Sequence, residues 1–395
     1  MICLTMTNTT PENIYLDYAA ATPVDTRVLD AMLPYFSDVF YNPSAPYALA
    51  RRARTAFEDA RAALAHCIGA RPMSITLTAG ATEANNLAFA SADGTVLTDA
   101  IEHESTLSCA KAREHILVDV TCEGFVTPSA VAAGLTPDVE LVSVALANGE
   151  IGTVQNLREI AAIVKAERQR RLEAGESHPL WLHTDASQAA GALSLNVSTL
   201  EADLVTISAA KIYGPKQVGL LWASDDVRLR PLVLGGGQEG GLRSGTENVP
   251  GVIGFAKALQ IATAERTQES RRLAQLRDQL QRTLLQEFPW AVVSGPKKSR
   301  WRLPGLLHIS FPGLEARRLV ILLDQRGVSV GTGSACAASK MRISHVLAAI
   351  GADEATAAGS LRITLGRPTT QEQVETAARI IIDVVNAERQ RLGIR

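Results

Sequence analysis

Between roughly residues 70 and 225 the chain alternates short β-branched or apolar runs with longer segments whose apolar residues recur at helical spacing. The runs at 75–78, 96–98, 116–120, 140–146, 180–184, 204–208 and 219–222 predict strands. The stretch 156–174 sets Leu157, Ile160, Ala161 and Val164 on one face against a charged opposite face, which predicts a surface helix covering a sheet. Strand and helix alternating in this way is the pattern of an α/β fold on a mainly parallel sheet. From 254 towards 287 runs a long, polar-rich helical region. Beyond Pro289 short strands near 292, 306–310, 328–330 and 361–364 alternate with helical segments at 315–325, 344–350 and 370–391. The organisation expected is an N-terminal segment, 1–20, packing with a small domain at 260–395, and a large domain at 21–259.

Composition narrows the function classes. Lys plus Arg number 39 against 41 Asp plus Glu, a formal charge of −2, which offers no global attraction to nucleic acid or an anionic membrane. Five cysteines (Cys3, Cys67, Cys109, Cys122 and Cys336) form neither an even disulfide set nor a metal-type pairing, so a reduced compartment is expected and no metal site. The start lacks a basic, apolar leader, and no run reaches membrane-spanning length. A cytoplasmic protein is the expectation. Cys67, Cys109 and Cys122 read as buried structural thiols.

Several segments carry chemistry. Gly235-Gly-Gly-Gln-Glu-Gly240 has the letters of a dinucleotide fingerprint but opens no helix after a first strand, so it reads as a glycine turn. Ala79-Gly-Ala-Thr-Glu-Ala-Asn-Asn86 follows a strand and turns into a helix, where the amides of Gly80, Ala81 and Thr82 and the Thr82 hydroxyl can face a phosphate or simply cap the helix. In Ser208-Ala-Ala-Lys-Ile-Tyr-Gly-Pro-Lys216 a strand end presents the Ser208 hydroxyl and the Lys211 amine, suited to a phosphate and an aldehyde. His183-Thr-Asp-Ala-Ser-Gln188 places Asp185 and Gln188 at another strand end, where a carboxylate can keep a pyridine nitrogen protonated. Gly331-Thr-Gly-Ser-Ala-Cys336 sets a thiol in a glycine-bounded run.

Taken in order, these motifs closely resemble the cysteine desulfurases, in the aminotransferase class V group of fold-type I pyridoxal-phosphate enzymes. The likeness runs almost end to end, from Tyr15-Leu-Asp-Tyr-Ala-Ala-Ala-Thr-Pro23 through Asn148-Gly-Glu-Ile-Gly152 and Arg243-Ser-Gly-Thr246 to Ser360-Leu-Arg-Ile-Thr-Leu-Gly-Arg367. It implies a fold-type I aminotransferase-like sheet and pyridoxal 5′-phosphate as cofactor. Lys211 would form the Schiff base, Asp185 would contact the pyridine nitrogen, and His103 would stack on the ring and assist proton transfer. Gln188 would contact the ring oxygen, and Ala81, Thr82 and Ser208 would cradle the phosphate. The resemblance further implies a homodimer in which Thr246 crosses to the partner's phosphate. Arg362 would bind the carboxylate of L-cysteine, with Asn42 framing the pocket, while Arg367 is the more structural arginine. Cys336 would take the sulfur as a persulfide, leaving L-alanine. The residues after Cys336 resemble the longer catalytic loop of the iron–sulfur-assembly branch, which implies delivery to a sulfur acceptor or scaffold protein.

Three positions depart from the family pattern. Ala210 stands where a histidine usually precedes the lysine, Gly149 where a ring-oxygen-binding asparagine is expected, and Gly240 where an arginine is usual. Two other readings stay open at this level: a selenocysteine lyase, and a non-catalytic sulfur-assembly paralogue.

Overall fold

The computed structural model describes residues 13–332 and 344–393. Seven strands form the main sheet: β2 (Ile75–Thr78), β3 (Thr95–Asp99), β4 (His115–Val118), β5 (Val139–Ser143), β6 (Trp181–Asp185), β7 (Leu204–Ser208) and β8 (Gly219–Ala223). Their order is β2-β8-β7-β6-β5-β3-β4. The five from β7 to β4 run parallel, while β8 is antiparallel to both β7 and β2. Parallel neighbours need crossovers, and the helices between these strands supply them. The predicted surface helix is one, spanning Leu157–Ala174 and burying Leu157, Ile160, Ala161 and Val164. Only the β7–β8 connection is short enough for antiparallel pairing, and it carries Lys211.

Burial on both faces explains the nearly continuous apolar strands: every residue of β2, β3, β5, β7 and β8 is buried. A second sheet orders β12 (Ser360–Thr364), β10 (Leu306–Ser310) and β9 (Val292–Val293), all antiparallel. Beside it, β1 (Ile14–Tyr15) pairs parallel with β11 (Val328–Ser329). Leu16 joins the same apolar cluster as Leu307, Ile309, Leu361 and Ile363.

A single 39-residue helix, Val249–Glu287, links the two cores. Val252, Phe255 and Leu259 on its first half belong to the large cluster, and Leu276, Leu280 and Leu284 on its second half to the small one. The helix is unbroken at 259–260. Among the described residues no helix is long and apolar enough to cross a membrane.

Candidate active site

The carboxyl ends of the parallel strands meet at one edge of the large sheet, the usual position for a ligand in an open α/β sheet. There the 79–86, 183–188 and 208–216 segments come together.

At one side, Gly80 is the N-cap of the helix Ala81–Ala90, with φ 124°, a conformation that glycine takes without strain. Helix starts leave backbone N–H groups unpaired, so Ala81 and Thr82 present donors and a positive dipole end. A side-chain carbon added at Gly80 would meet nothing within 4 Å, whereas one at Gly219 would strike Gly80 at 2.7–2.8 Å. Gly219 pairs with Ser208 at the end of β7. Two glycines thus bring the end of β7 against the helix start and leave open space before it. Arg243 ties the 243–246 loop to that start through Glu83, at 2.9 Å.

Asp185 closes β6. Its Oδ1 accepts from Ser187 N and its Oδ2 from Asn85 Nδ2, both at 2.9 Å. Asn85 was not singled out in the sequence; its signal was position, one helical turn beyond Ala81 on the same face. Its fully enclosed Oδ1 has no partner among the described residues. Beneath lies buried His183, held by Ser143 at 2.8 Å and Thr206 at 3.1 Å, with its pKa pushed down to about 4 by burial. Burial also raises the carboxyls of Asp99 and Glu102, and the charge of Asp99 raises Glu102 further.

Lys211 lies just after β7. Its Nζ donates to the carbonyls of Ala19 and Ala20 at 2.8 and 2.9 Å, so the N-terminal segment closes over it. Burial lowers its pKa, and the Arg362 cation lowers it further, which increases the share of free amine able to attack an aldehyde. Ala210 leaves no imidazole here; its carbonyl instead accepts from Thr22 Oγ1 at 3.0 Å.

Arg362 reaches the site from β12. Its Nη2 donates to Asp17 Oδ1 at 2.8 Å and its Nη1 to Gly149 O at 3.2 Å. Asp17, 345 positions away in sequence, is a second residue that the motif reading did not single out. Gln188 Nε2 donates to Ala19 O at 3.1 Å, and the Gln188 side chain lies against Gly149, filling the space that a side chain there would need. Arg367 behaves differently: it pairs with Asp25 at 2.6 Å and stacks 4.2 Å over the Tyr213 ring.

His103 caps the helix Glu104–Lys111, its Nδ1 accepting from Ser105 N at 3.1 Å. His103 is exposed, yet neighbouring groups desolvate it enough to lower its pKa, and the charge of Asp185 opposes that shift. Asn42 is exposed and turns its Oδ1 onto Ser44 N at 2.9 Å. Ser44 in turn reaches Glu247 at 3.3 Å, so Asn42 stands near the 244–247 loop and not among the partners of Arg362. Thr246, on that loop, is exposed.

Cys336 and Cys3 lie outside the described residues. Cys67 and Cys109 are half-buried, and burial raises both thiols. Cys122, expected to be buried, is exposed, because it sits in the turn between the bridged residues Val120 and Val126. The 235–240 run is a glycine turn, as expected: Gly240 has φ 63° with nothing near its Cβ position, so its departure from arginine relieves no crowding.

An amine, a carboxylate held at a strand end, a helix start over open space and an arginine fit a phosphorylated aldehyde on a protonated ring. That is the chemistry of pyridoxal phosphate.

Comparison with known proteins agrees. A family model described as aminotransferase class-V matches residues 14–376. A protein of Dictyoglomus turgidum named cysteine desulfurase IscS is 38% identical over 388 residues, covering 95% of each chain. An X-ray structure of a NifS-like protein from Rickettsia africae superposes with TM-score 0.85 at 29% identity, covering 95% of this chain and 100% of that one. A structure titled SspA in complex with cysteine gives TM-score 0.72 at 31% identity, covering 89% of this chain and 98% of that one.

Proposed function

Since the chain belongs to the cysteine desulfurase (NifS-like) family of class-V aminotransferases, on its IscS-like branch, we propose that it converts L-cysteine to L-alanine. The sulfur is left as a persulfide on Cys336 for an acceptor such as an iron–sulfur scaffold protein. The observation that carries this reading is the meeting of Lys211, Asp185, Arg362 and the open helix start at Gly80 at one sheet edge. The relative crystallised with cysteine supports the choice of substrate.

Bound pyridoxal phosphate supplies an aldehyde for amines and an electron-poor ring that accepts the electrons of a bond broken at the substrate α-carbon. Lys211 Nζ would hold the cofactor aldehyde and, as a free amine, would move the proton at the substrate Cα. Asp185, steadied by Asn85 and Ser187, keeps the ring nitrogen protonated, and Gln188 borders the ring. Ala81, Thr82 and Ser208 hold the phosphate. His103, neutral because its pKa is lowered, would stack on the ring and relay protons. Arg362 grips the carboxylate.

The Cys336 thiolate attacks the substrate γ-sulfur, the Cβ–S bond breaks, and Cβ takes a proton. Thiol plus L-cysteine gives hydropersulfide plus L-alanine, so no outside oxidant or reductant is needed. We infer a homodimer in which the exposed Thr246 reaches the partner's phosphate site. The exposed apolar run Leu232, Val233 and Leu234 on the same segment supports such a contact.

The test is to incubate cofactor-loaded protein with L-cysteine, measure alanine and map persulfide by mass spectrometry. Wild type is expected to carry it on Cys336. Cys336→Ala should keep the cofactor and lose the persulfide; Lys211→Ala should lose the lysine-linked cofactor absorbance. Alanine formed with no persulfide on Cys336 would overturn the mechanism, and selenocysteine turned over in preference to cysteine would reassign the substrate.

A further inference from the structure

On the small sheet, β10 and β12 pair with His308 opposite Arg362 and Ser310 opposite Ser360. Directly opposed residues share a face, so His308, Ser310 and Arg362 project together. Leu307, Ile309, Leu361 and Ile363 turn the other way into the small core. His308 and Ser310 are completely buried and Arg362 is 5% exposed. Yet both ring nitrogens of His308, the Ser310 hydroxyl and Arg362 Nε make no hydrogen bond among the described residues. Buried polar atoms are normally paired.

These four atoms match in kind. Arg362 Nε only donates, a neutral imidazole accepts at one nitrogen and donates at the other, and a hydroxyl oxygen accepts. The ring is neutral: burial pushes its pKa down to about 3, and the cations of Arg362 and Arg302 act in the same direction. Arg362 already spends one N–H of Nη2 on Asp17 and one of Nη1 on Gly149.

We propose that His308 is a positioning residue that accepts the Nε–H of Arg362 and donates to Ser310 through enclosed water, fixing the guanidinium for an amino-acid carboxylate. With Nε taken, one N–H remains on each Nη, so the carboxylate binds end-on across the two Nη atoms. The inference rests on the desulfurase reading only in taking an α-amino acid as the ligand of Arg362.

Cofactor-loaded protein is titrated calorimetrically with L-alanine, which carries the same carboxylate and amine but no sulfur, and KM and kcat are measured with L-cysteine. His308→Leu is expected to raise both the L-alanine Kd and KM about 10-fold, the effect of one hydrogen bond to a charged group. It should leave kcat within about 3-fold, because the grip acts alike on bound substrate and transition state. His308→Gln, which keeps an acceptor and a donor, should restore most of the affinity. Ser310→Ala is the milder probe should His308→Leu fail to fold, with about a 3-fold rise expected from loss of one neutral hydrogen bond.

A folded His308→Leu protein binding L-alanine as wild type does, or a Gln variant as weak as Leu, would overturn the proposal, as would wild-type affinity in Arg362→Gln. Failure of the wild type to form alanine from cysteine, with L-alanine binding still dependent on Arg362 and His308, would instead remove the desulfurase reading and leave this one standing.

Discussion

A methyl group at Gly149 tests why this position lacks a side chain. Its carbon would stand 2.9 Å from Cγ and Cδ of Gln188 and 3.0 Å from Nε2, well inside van der Waals contact. The backbone itself is not the obstacle, since Gly149 is not among the residues of positive φ. Gln188 must therefore move and give up its hydrogen bond to Ala19 O, which costs about 1 kcal/mol. Overpacking adds about 1–2 kcal/mol, and the stiffer unfolded chain returns about 0.4–1 kcal/mol. Gly149→Ala should thus destabilise by a net of about 1–2.6 kcal/mol, within the range ordinary for such changes. Urea unfolding of the wild type, Gly149→Ala, Gln188→Ala and the double variant measures it. The double variant should be more stable than additivity predicts by about 2–3 kcal/mol, because shortening Gln188 removes both the clash and the hydrogen bond that the added methyl would break. Effects that add within about 0.3 kcal/mol would refute the steric argument. The same logic applies to Gly149→Asn, which restores the residue expected from the family: alone it should weaken cofactor binding, and with Gln188→Ala much of the loss should be recovered.

Two further outcomes follow from buried charge. Glu239 accepts from Arg61 Nη1 and Nη2 at 2.8 and 2.5 Å and from Leu77 N at 2.8 Å. Glu239→Ala leaves Arg61 only Glu58 and the Ile75 carbonyl, both at 3.0 Å, and should cost about 1.5–3 kcal/mol in urea unfolding, the range for hydrogen bonds to a charged group; a loss under about 0.5 kcal/mol would show that Glu58 and water replace the lost contact. For His183 the folded pKa of about 4 lies below the ordinary 6.5. Its contribution is fully present above pH 6.5 and is lost as pH falls through 4, since the unfolded chain binds the proton first. The window is worth roughly 3 kcal/mol. His183→Asn should lose less stability than wild type between pH 7 and pH 4 in parallel urea titrations, and equal losses would place the acid sensitivity elsewhere.

Sequence by itself determined the elements and most of the chemical inventory. Apolar runs too short for helices marked the seven large-sheet strands, with the run 204–208 matching β7 end to end, because periodicity and burial are local properties of the chain. Lys211, Asp185 and the 79–86 turn could be singled out for a related reason: each follows a strand, and strand ends in such sheets face a ligand. Residues acting through distant partners left no comparable trace. Asp17 is indistinguishable from any early aspartate until β1 pairs with β11 and delivers it to Arg362. Asn85 becomes a support for Asp185 only when the helix after β2 packs beside β6. Tertiary structure alone also decided that Gln188 occupies the room over Gly149 and that His308 stands opposite Arg362 with its ring nitrogens unpaired among the described residues. Such facts depend on which strands become neighbours and on how much space is left between them, and those are set by the packing of whole elements.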